Sequence, residues 1–516
     1  MTGADATGMH ERRMHGGWVR AASQHPDRVA LRSGDDEWTW RDLDEGSTGF
    51  AHHLRATGIG RGDRVAVMTS NRIEFVLAVA GVSKAGAATV LLSPAWKARE
   101  VEHALALTSP VLAVADGDAV AILGDRLGAD KVIDLDEAAT ADEVFGLSTD
   151  PVVVDGALDD DESVLVFSSG TTGMPKAVRH THASMGHGVV HWRAALGLGP
   201  DDRFQVATPP SHILGLLNLL TAADAGATVR LHKRFDLDEV LRRVESDRIT
   251  LEMAVAPIAL AMANHSDIER YDLSSLRYIM WGATPVSENV ARRVTERTGV
   301  RFLAAYGASE LPVLAVNPVD RPDEWRLDSA GLAPSGVELR VVDLDTGAPL
   351  PRGEVGEIQA LGPSTMAGYL PDEATAASIV DGGWYRTGDV GWLEPEGWVH
   401  LTDRAKEMIK VNGFQVAPAE IETVLHGHPA VLDCAVFGVP DERAGEVPVA
   451  AVQLDPDRAV DTDELQRLVA DSLATYKHLR RVVVVDEVPR LPSGKVLRRT
   501  LRDQMVGTIP TNEQGA

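Results

Sequence analysis

The stretch DESVLVFSSGTTGMPKAVRHTH, residues 161–182, joins a short apolar run to a loop of small polar residues. Two serines, two threonines and two glycines follow the apolar run, and the loop ends on Pro175 and Lys176. Glycines let a backbone approach an anion closely, hydroxyl and N–H groups donate hydrogen bonds, and a lysine adds positive charge. The pattern therefore predicts a phosphate-binding loop at the end of a strand.

This loop does not match the motif G-x-x-x-x-G-K-[ST]. Met174 and Pro175 separate Gly173 from Lys176, and Ala177 occupies the position where that motif requires Ser or Thr. A P-loop phosphotransferase is therefore only a distant alternative. A glycine-rich surface loop without a ligand also stays open from this stretch alone.

Strand-like and helix-like runs alternate on both sides of the loop. RVAVMTS (64–70) is strand-like, NRIEFVLAVAGVSKAG (71–86) is helix-like, and AATVLLSP (87–94) is strand-like again. Such alternation predicts an α/β fold with largely parallel strands, whose ligands bind at the carboxyl ends of the strands.

The pattern changes twice towards the C-terminus. Residues 330–401 are rich in glycine and short β-like pieces, which predicts antiparallel sheet. Beyond them, 417–429 and 461–474 have helical spacing and 479–488 is strand-like. We expect a large domain over 1–403 and a small α+β domain over 404–516.

Composition narrows the class of protein. A chain of 516 residues suggests several domains, and a net charge of −26 argues against nucleic acid as a partner. The single cysteine, Cys434, lies in an apolar setting and fits a reducing compartment. No signal peptide and no membrane-spanning run is apparent, so we expect a cytoplasmic protein.

Six further segments accompany the loop SSGTTGMPKAV (168–178). They are PPSHILGL (209–216), WGATP (281–285), AYGASE (305–310), WYRTGDVG (384–391), DRAKEMIKVNGFQVAPAEIE (403–422) and LPSGKVLRR (491–499). In this order they resemble the adenylate-forming superfamily, which includes acyl-CoA synthetases, aryl-CoA ligases, adenylation domains and luciferases. The ordered set covers most of the chain, so it is far more specific than any one motif.

The resemblance implies a fold and a reaction. The large domain would have αβαβα layers plus a small β-barrel-like subdomain, and the α+β C-terminal domain would be mobile. The enzyme would activate a carboxylic acid with ATP and Mg²⁺ to an acyl-adenylate, and then transfer the acyl group to coenzyme A. An enzyme that loads a carrier-protein phosphopantetheine is the nearest alternative, a catalytically dead relative is another, and a homodimer stays open.

The same resemblance assigns the nucleotide site residue by residue. Lys495 would neutralise charge between the carboxylate and the α-phosphate, and Glu310, with Ser168, would hold Mg²⁺. Asp389 and Arg404 would bind ribose, and Tyr306 would face adenine opposite the backbone of Gly282 to Thr284. The remaining ATP-contacting positions are Ser169, Gly170, Thr171, Thr172, Gly173, Lys176, Ala283, Ala305, Gly307, Ala308 and Ser309.

The resemblance also indicates the acid and thiol sites. The acyl pocket would be lined by His212, Leu214, Leu216, Trp281, Gly307, Val313 and Leu314. His212 would lie beside the substrate carboxylate. These residues are mostly apolar and the segment after His212 lacks the aspartate of amino-acid-activating domains, so we expect a fatty, alicyclic or aryl acid. We expect Trp281 to shorten or reshape this pocket.

The small domain would rotate about Lys406 after pyrophosphate leaves. Lys410, Gly413 and Phe414 would then line the path of the pantetheine arm. The histidines 180, 182, 187 and 191 do not predict a zinc site, because no acidic residue or cysteine is patterned with them.

Overall fold

The computed structural model describes residues 13–137, 143–152, 159–168, 174–282, 287–412, 414–441, 443–458, 460–490 and 494–506. Four β-sheets organise these residues, and we call them sheets I to IV. Sheets I and II belong to the α/β part of the chain, sheet III follows them, and sheet IV is C-terminal.

Sheet I has eight strands in the order β14-β13-β12-β11-β9-β10-β1-β2. They are β1 (Val29–Ser33), β2 (Asp36–Thr39), β9 (Arg203–Val206), β10 (Thr228–Leu231), β11 (Leu251–Ala254), β12 (Tyr278–Trp281), β13 (Phe302–Tyr306) and β14 (Ala315–Val316). The six central strands are parallel, and only the edge strands β2 and β14 pair antiparallel.

Sheet II has seven strands in the order β17-β8-β7-β4-β3-β5-β6. They are β3 (Arg64–Met68), β4 (Ala88–Leu91), β5 (Leu112–Ala115), β6 (Val132–Asp134), β7 (Glu162–Ser168), β8 (Lys176–Thr181) and β17 (Gly368–Leu370). The five strands from β7 to β6 are parallel, whereas β8 and β17 are antiparallel additions at one edge. The predicted strand–helix–strand unit at 64–94 is confirmed.

Within the described ranges, ten helices cover these two sheets. They are α1 (Gly16–Gln24), α2 (Trp40–Ala56), α3 (Ile73–Ala85), α4 (Ala98–Thr108), α5 (Asp118–Leu127), α6 (His182–Leu196), α7 (Ile213–Ala225), α8 (Leu237–Asp247), α9 (Ala256–Asn264) and α10 (Glu288–Thr298). Short 3₁₀ helices occur at Ala129–Lys131, Ile268–Arg270, Pro322–Glu324 and Thr475–Lys477.

The helices and the two sheets form the predicted αβαβα layers. The largest apolar cluster joins one face of each sheet to α1, α2, α3, α6 and α7, so these helices lie between the sheets. A second cluster packs α8, α9 and α10 on the outer face of sheet I, and a third packs α4 and α5 on the outer face of sheet II. Helix α3 is mostly apolar and all of its residues except Glu74 are buried, as expected for a central layer.

Sheet III is a five-stranded antiparallel sheet. It contains β15 (Glu338–Val342), β16 (Gly356–Leu361), β18 (Ile379–Val380), β19 (Trp384–Leu393) and β20 (Val399–Arg404), and the short helix α11 (Glu373–Ser378) precedes β18. The antiparallel prediction for 330–401 is therefore confirmed. The barrel-like expectation is corrected: pairing among the described residues runs β15-β16-β19-β18, with β20 on β19, and does not close.

The C-terminal residues form a separate α+β unit around sheet IV. Its strands are β21 (Ile409–Val411), β22 (Phe414–Val416), β23 (Val431–Asp441), β24 (Gly445–Leu454) and β25 (Arg481–Val484). Its helices are α12 (Pro418–His426), α13 (Thr462–Ser472) and α14 (Arg498–Val506). The helices expected at 417–429 and 461–474 and the strand at 479–488 are confirmed, while the boundary at 403/404 stays a prediction. Within the described ranges, no helix has the length and apolar content needed to cross a membrane.

Candidate active site

The predicted phosphate loop connects β7 to β8. Ser168 is the last residue of β7, Lys176 is the first of β8, and the two are paired across the strands. The Nζ atom of Lys176 lies 5.2 Å from the centre of the Tyr369 ring. Ser169, Gly170, Thr171, Thr172 and Gly173 fall outside the described residues.

Several other predicted segments follow parallel strands of sheet I and therefore meet at its carboxyl edge. His212 comes after β9, Gly282 comes after β12, and the segment Gly307 to Glu310 comes after β13. A Cβ atom at Gly307 would lie 2.0 Å from the carbonyl oxygen of Pro312, so the turn requires glycine. Ala305 lies at the end of β13, and the N–H of Ala308 donates to the carbonyl of Leu311 at 3.0 Å. Ala283 and Thr284 fall outside the described residues.

Glu310 is buried and held from two sides. Its side chain accepts a 2.6 Å hydrogen bond from the hydroxyl of Tyr369, and its carbonyl accepts one from the N–H of Met366 at 2.8 Å. Burial, and next the charge of Glu310, raise the pKa of Tyr369, so this phenol stays protonated and donates. The carboxylate is therefore fixed but retains lone pairs for a further ligand.

His180 supports the same segment from β8. Its Nε2 atom lies 2.8 Å from the carbonyl oxygen of Ser309, and its Nδ1 atom lies 3.0 Å from the hydroxyl of Ser184. Burial lowers the pKa of His180, so the ring is neutral near pH 7. A carbonyl oxygen only accepts hydrogen bonds, which places the proton on Nε2.

Tyr306, Asp389 and Arg404 form one contiguous group. The Tyr306 hydroxyl donates to Oδ2 of Asp389 at 2.6 Å, and Nε of Arg404 lies 3.3 Å from Oδ1 of the same carboxylate. Burial, followed by the charge of Asp389, raises the pKa of Tyr306. The structure thus brings the three predicted nucleotide residues together.

Lys495 lies among charged residues that come from both sides of the predicted domain boundary. Burial and then Arg404 lower the pKa of its ammonium, while Glu310 and Asp389 act in the opposite direction. The charge of Lys495 also acts on His212. Burial first, and Lys495 second, lower the pKa of the His212 imidazole to about 4. The predicted catalytic lysine, histidine and glutamate therefore converge, although they come from three distant segments.

The predicted hinge residue lies close to this group. Burial first, then Arg404 and Lys495, lower the pKa of Lys406 to about 8, against the opposite effects of Glu407 and Asp389.

Two arginines, Arg490 and Arg498, hold the segment around Lys495 in place. Arg490 makes a bidentate pair with Asp433 and donates to the Gly494 carbonyl at 2.8 Å, while Arg498 pairs with Glu407 and Glu422.

The predicted acyl-pocket residues do not all lie on one side of sheet I. Leu214, Leu216, Val313 and Leu314 belong to the central apolar cluster between the sheets. Trp281 instead lies in the outer cluster under α9 and α10, with its ring 5.5 Å from that of Phe302. Successive side chains of a strand point to opposite faces, so Met280 rather than Trp281 faces the central layer. The structure does not support the expectation that Trp281 shapes the pocket.

The predicted pantetheine residues Lys410 and Phe414 contact other residues of the small domain. Lys410 is on β21 and its N–H donates to Glu446 at 2.8 Å, while the exposed ring of Phe414 stacks on Tyr476 at 4.5 Å between centroids. Glu446 and Tyr476 both belong to the small domain. Gly413 falls outside the described residues.

Sequence reasoning missed the tyrosines around Glu310 and the role of His180. Tyr369 and Tyr385 are buried near Glu310, which contributes after burial to raising the pKa of both. The chain has only six tyrosines, and Tyr385 lies inside the segment WYRTGDVG, so its position in that motif was a usable signal. The sequence around Tyr369 and around His180 does not indicate their roles, because Tyr369 contacts Glu310 and His180 contacts Ser309 from strands that are distant in the sequence.

The arrangement suits a hard cation only together with substrate oxygens. Among the described residues, no group of three or more His, Cys, Asp or Glu side chains could hold a metal by itself. Mg²⁺ at phosphate-transfer sites uses one or two carboxylates plus phosphate oxygens and water. The fixed carboxylate of Glu310 fits that requirement.

Comparison with known proteins agrees with this geometry. A family model described as "AMP-binding enzyme" matches residues 18–370, and one described as "AMP-binding enzyme C-terminal domain" matches residues 420–495. The chain belongs to the AMP-binding enzyme family. The resemblance to the adenylate-forming superfamily is therefore confirmed.

Relatives of this AMP-binding enzyme include 4-coumarate–CoA ligase 2 of Oryza sativa subsp. japonica, 35% identical over 88% of this chain and 85% of the relative. The anthranilate CoA ligase AuaEII, solved with anthranoyl-AMP, has a TM-score of 0.89 at 25% identity and covers 96% of this chain and 98% of its own. The amide bond synthetase McbA from Marinactinospora thermotolerans has a TM-score of 0.84 at 30% identity, with coverage of 95% and 99%. The prediction of an acid–thiol ligase family is confirmed, and ATP, Mg²⁺ and coenzyme A are typical of that family.

Proposed function

We propose that this AMP-binding enzyme is an AMP-forming carboxylic acid–CoA ligase. The observation that carries the proposal is the convergence of Lys495, from the C-terminal unit, with His212, Glu310 and Asp389 of the large domain and with Arg404 at the proposed boundary. A carboxylate and a triphosphate repel each other, so their reaction requires a positioned cation. Lys495 is a partly buried cation that the small domain would deliver to this place.

In the first half-reaction, a carboxylate oxygen attacks the α-phosphorus of ATP. An O–P bond forms, the bond to pyrophosphate breaks, and an acyl-adenylate results. Lys495 would stabilise the charge that develops between the two anions, with His212 beside the carboxylate. The loop from Ser168 to Lys176 would bind phosphates, and Asp389 with Arg404 would bind the ribose.

Mg²⁺, when bound with ATP, would neutralise phosphate charge, and Glu310 with Ser168 would hold it. The supporting observation is the fixed, buried carboxylate of Glu310, whose orientation is set by Tyr369. Tyr369 stays protonated and therefore leaves the negative charge on Glu310.

The proposed acid is hydrophobic, and an aryl acid is favoured over a fatty or alicyclic one. Leu214, Leu216, Val313 and Leu314 supply an apolar environment behind His212. Relatives at about one-third identity are named 4-coumarate–CoA ligases, and a structural neighbour binds anthranoyl-AMP.

In the second half-reaction, the thiol of coenzyme A would attack the acyl carbon and AMP would leave. We propose that the small domain, 404–516, turns about Lys406 and presents Lys410, Gly413 and Phe414 to the pantetheine arm. A carrier-protein phosphopantetheine is the alternative acceptor. The similarity to an amide bond synthetase makes the acceptor worth testing directly.

A panel of aryl, alicyclic and fatty acids, assayed for pyrophosphate release with ATP and Mg²⁺, tests the first half-reaction. We expect release with aryl acids, AMP rather than ADP as product, and acyl-CoA only when coenzyme A is present. Formation of ADP would contradict the proposal. Transfer only to a phosphopantetheinylated carrier would show that the acceptor is a carrier protein and not coenzyme A.

Lys495→Ala should lower adenylation by at least about 10³-fold, because the cation acts mainly in the transition state. The variant should still convert a synthetic acyl-adenylate and coenzyme A into acyl-CoA. Unchanged adenylation in a folded Lys495→Ala protein would overturn the mechanism.

A further inference from the structure

Helix α4 and the turn before it contact both strands that carry the predicted phosphate loop. On the exit side, Nε2 of His103 on α4 lies 2.9 Å from the carbonyl oxygen of Pro175, the last residue before β8. On the entry side, the ring of Trp96 is nearly perpendicular to that of Phe167, at 77°, with 5.0 Å between the centroids. Phe167 is the next-to-last residue of β7. A helix outside the loop therefore holds the strands on either side of it.

The contact of His103 with Pro175 is a hydrogen bond with a defined direction. A carbonyl oxygen only accepts, so the half-buried imidazole carries a proton on Nε2 and donates it. The ring of a proline fixes its own φ angle. The orientation of the Pro175 carbonyl depends on the other torsion angle, ψ, and His103 holds that carbonyl. Both backbone torsions of Pro175 are thus constrained.

The residue that follows Pro175 is Lys176, the predicted phosphate-binding cation. Lys176 is paired with Ser168 across the strands, and its Nζ atom lies 5.2 Å from the centre of the Tyr369 ring. Tyr369 belongs to β17, which lies on the opposite side of β8 from β7. Contacts from α4 therefore constrain the backbone before this lysine, while β17 constrains its ammonium group.

Such constraints matter for binding, because every group that must be ordered when a ligand binds lowers the affinity. A cation whose backbone is already held can meet a phosphate at a smaller entropic cost. The hydrogen bond of His103 is therefore placed where it would increase the affinity of the loop for phosphates without touching them.

We infer that His103 is a positioning residue that keeps Lys176 where the pyrophosphate part of ATP would bind. The inference rests on the proposed function. Contacts of Lys176 with phosphate oxygens would be present before and during the transfer of the adenylyl group. Loss of His103 should therefore raise the KM for ATP and leave kcat nearly unchanged.

Titration calorimetry of the full-length protein with Mg²⁺-ATP, Mg²⁺-pyrophosphate and AMP tests this role. AMP lacks the two phosphates that leave as pyrophosphate, so its Kd reports on the rest of the nucleotide site. His103→Leu should raise the Kd of Mg²⁺-ATP and of Mg²⁺-pyrophosphate about three- to tenfold. The Kd of AMP should stay within about twofold of wild type. In the pyrophosphate-release assay, the KM for ATP should rise by the same factor.

Amide variants separate the hydrogen bond from the bulk of the side chain. His103→Gln should recover part of the affinity for Mg²⁺-ATP, because its amide N–H reaches about as far as Nε2 of histidine. His103→Asn should behave like His103→Leu, since its shorter amide does not reach Pro175. The comparison of the two amides also serves if His103→Leu does not fold.

His52→Leu is the matched control. His52 is a partly exposed histidine on α2, and its Nε2 atom lies 2.8 Å from the carbonyl oxygen of Asp150, between β6 and β7. The change removes the same kind of hydrogen bond from a place where no phosphate-binding residue is predicted. All three Kd values should stay within about twofold of wild type.

Three results would overturn the inference: unchanged Kd values in His103→Leu, an equal loss of affinity for Mg²⁺-ATP and AMP, or the same selective loss in His52→Leu. Failure of the proposed function looks different, because no acid would then release pyrophosphate while the binding of Mg²⁺-ATP could still be compared among the variants. A wild-type protein that binds neither Mg²⁺-ATP nor Mg²⁺-pyrophosphate would overturn both.

Discussion

His180 shows how one side chain can support a site that it does not enter. Its Nε2–H group donates to the Ser309 carbonyl, and Glu310 is the next residue. Tyr369 fixes the carboxylate of Glu310. The contact of His180 with the Ser309 carbonyl fixes the backbone from which that side chain extends. His180 is therefore a positioning residue for the proposed Mg²⁺-ATP site.

His180→Leu should raise the KM for Mg²⁺-ATP about three- to tenfold, because the Ser309 carbonyl loses its donor and Glu310 is held less firmly. Titration of pyrophosphate release with Mg²⁺ measures the effect. His180→Gln should recover part of it, because the amide N–H can donate to the same carbonyl.

His187→Leu is the matched control, since His187 is an exposed histidine on the same stretch of chain. It should behave like the wild-type enzyme. A His180→Leu protein with an unchanged Mg²⁺ dependence would assign His180 to packing alone.

At the scale of elements, three adjacent strands of sheet I share a buried polar network. Gln205 on β9 donates to Glu252 on β11 at 2.6 Å, and His232, just after β10, lies 2.6 Å from the Gln205 amide oxygen. Burial raises the pKa of Glu252 to about 8, and burial lowers the pKa of His232 to about 4. Both groups are therefore neutral at pH 7, so these polar side chains are buried beneath α8 without a charge.

Glu252 should make the protein less stable as pH rises. The folded state keeps the Glu252 proton up to about pH 8, whereas the unfolded chain releases it near pH 4.5. Between these values the folded state binds more protons, so the free energy of unfolding falls by up to about 1.4 kcal/mol per pH unit.

Denaturant unfolding of wild type and Glu252→Gln between pH 6.5 and 8 tests this, since His232 contributes to the pH dependence of both proteins and its effect cancels in their difference. We expect the difference between the two proteins to grow in favour of Glu252→Gln as pH increases. Parallel pH curves for the two proteins would show that Glu252 is already ionised in the folded state.

At the scale of the whole molecule, Arg498 links the helix after Lys495 to the segment after the proposed hinge. It pairs with Glu407, the residue after Lys406, and donates to Glu422 at 2.8 and 2.9 Å and to the Val436 carbonyl at 2.9 Å. A rotation about Lys406 would therefore carry Lys495 with it as part of one rigid unit.

Arg498→Met should lower the rate of adenylation about 10- to 100-fold with little change in KM, because Lys495 loses its fixed position. It should also lower the free energy of unfolding by about 1–3 kcal/mol, since the partly buried carboxylates of Glu407 and Glu422 lose their partner. Acyl-CoA formation from a synthetic acyl-adenylate should change much less.

Arg499→Met is the control in the next residue of the same helix. Arg499 is largely exposed and lies 3.7 Å from Asp503, so its loss should affect neither half-reaction. An equal decrease of both half-reactions in Arg498→Met would mean that the residue only maintains the fold.

Local patterns determined much of what could be predicted here. The spacing of apolar residues predicted the parallel sheets, the antiparallel region after Ala330 and the C-terminal α+β unit. This was possible because the periodicity of a strand or a helix depends on residues that are close together in the sequence. The ordered motifs identified Lys495, Glu310 and Asp389 as candidates, because each stands in a short stretch that resembles a motif of the family.

Only the tertiary structure decided which of these residues meet. The face to which Trp281 points depends on the register of β12, and a shift of one residue would reverse it. The contacts of Tyr369 and His180 with distant segments arise from the packing of sheets and helices, and no local pattern encodes them. Sequence thus specified the chemical groups, whereas long-range packing set their distances, their burial and hence their protonation states.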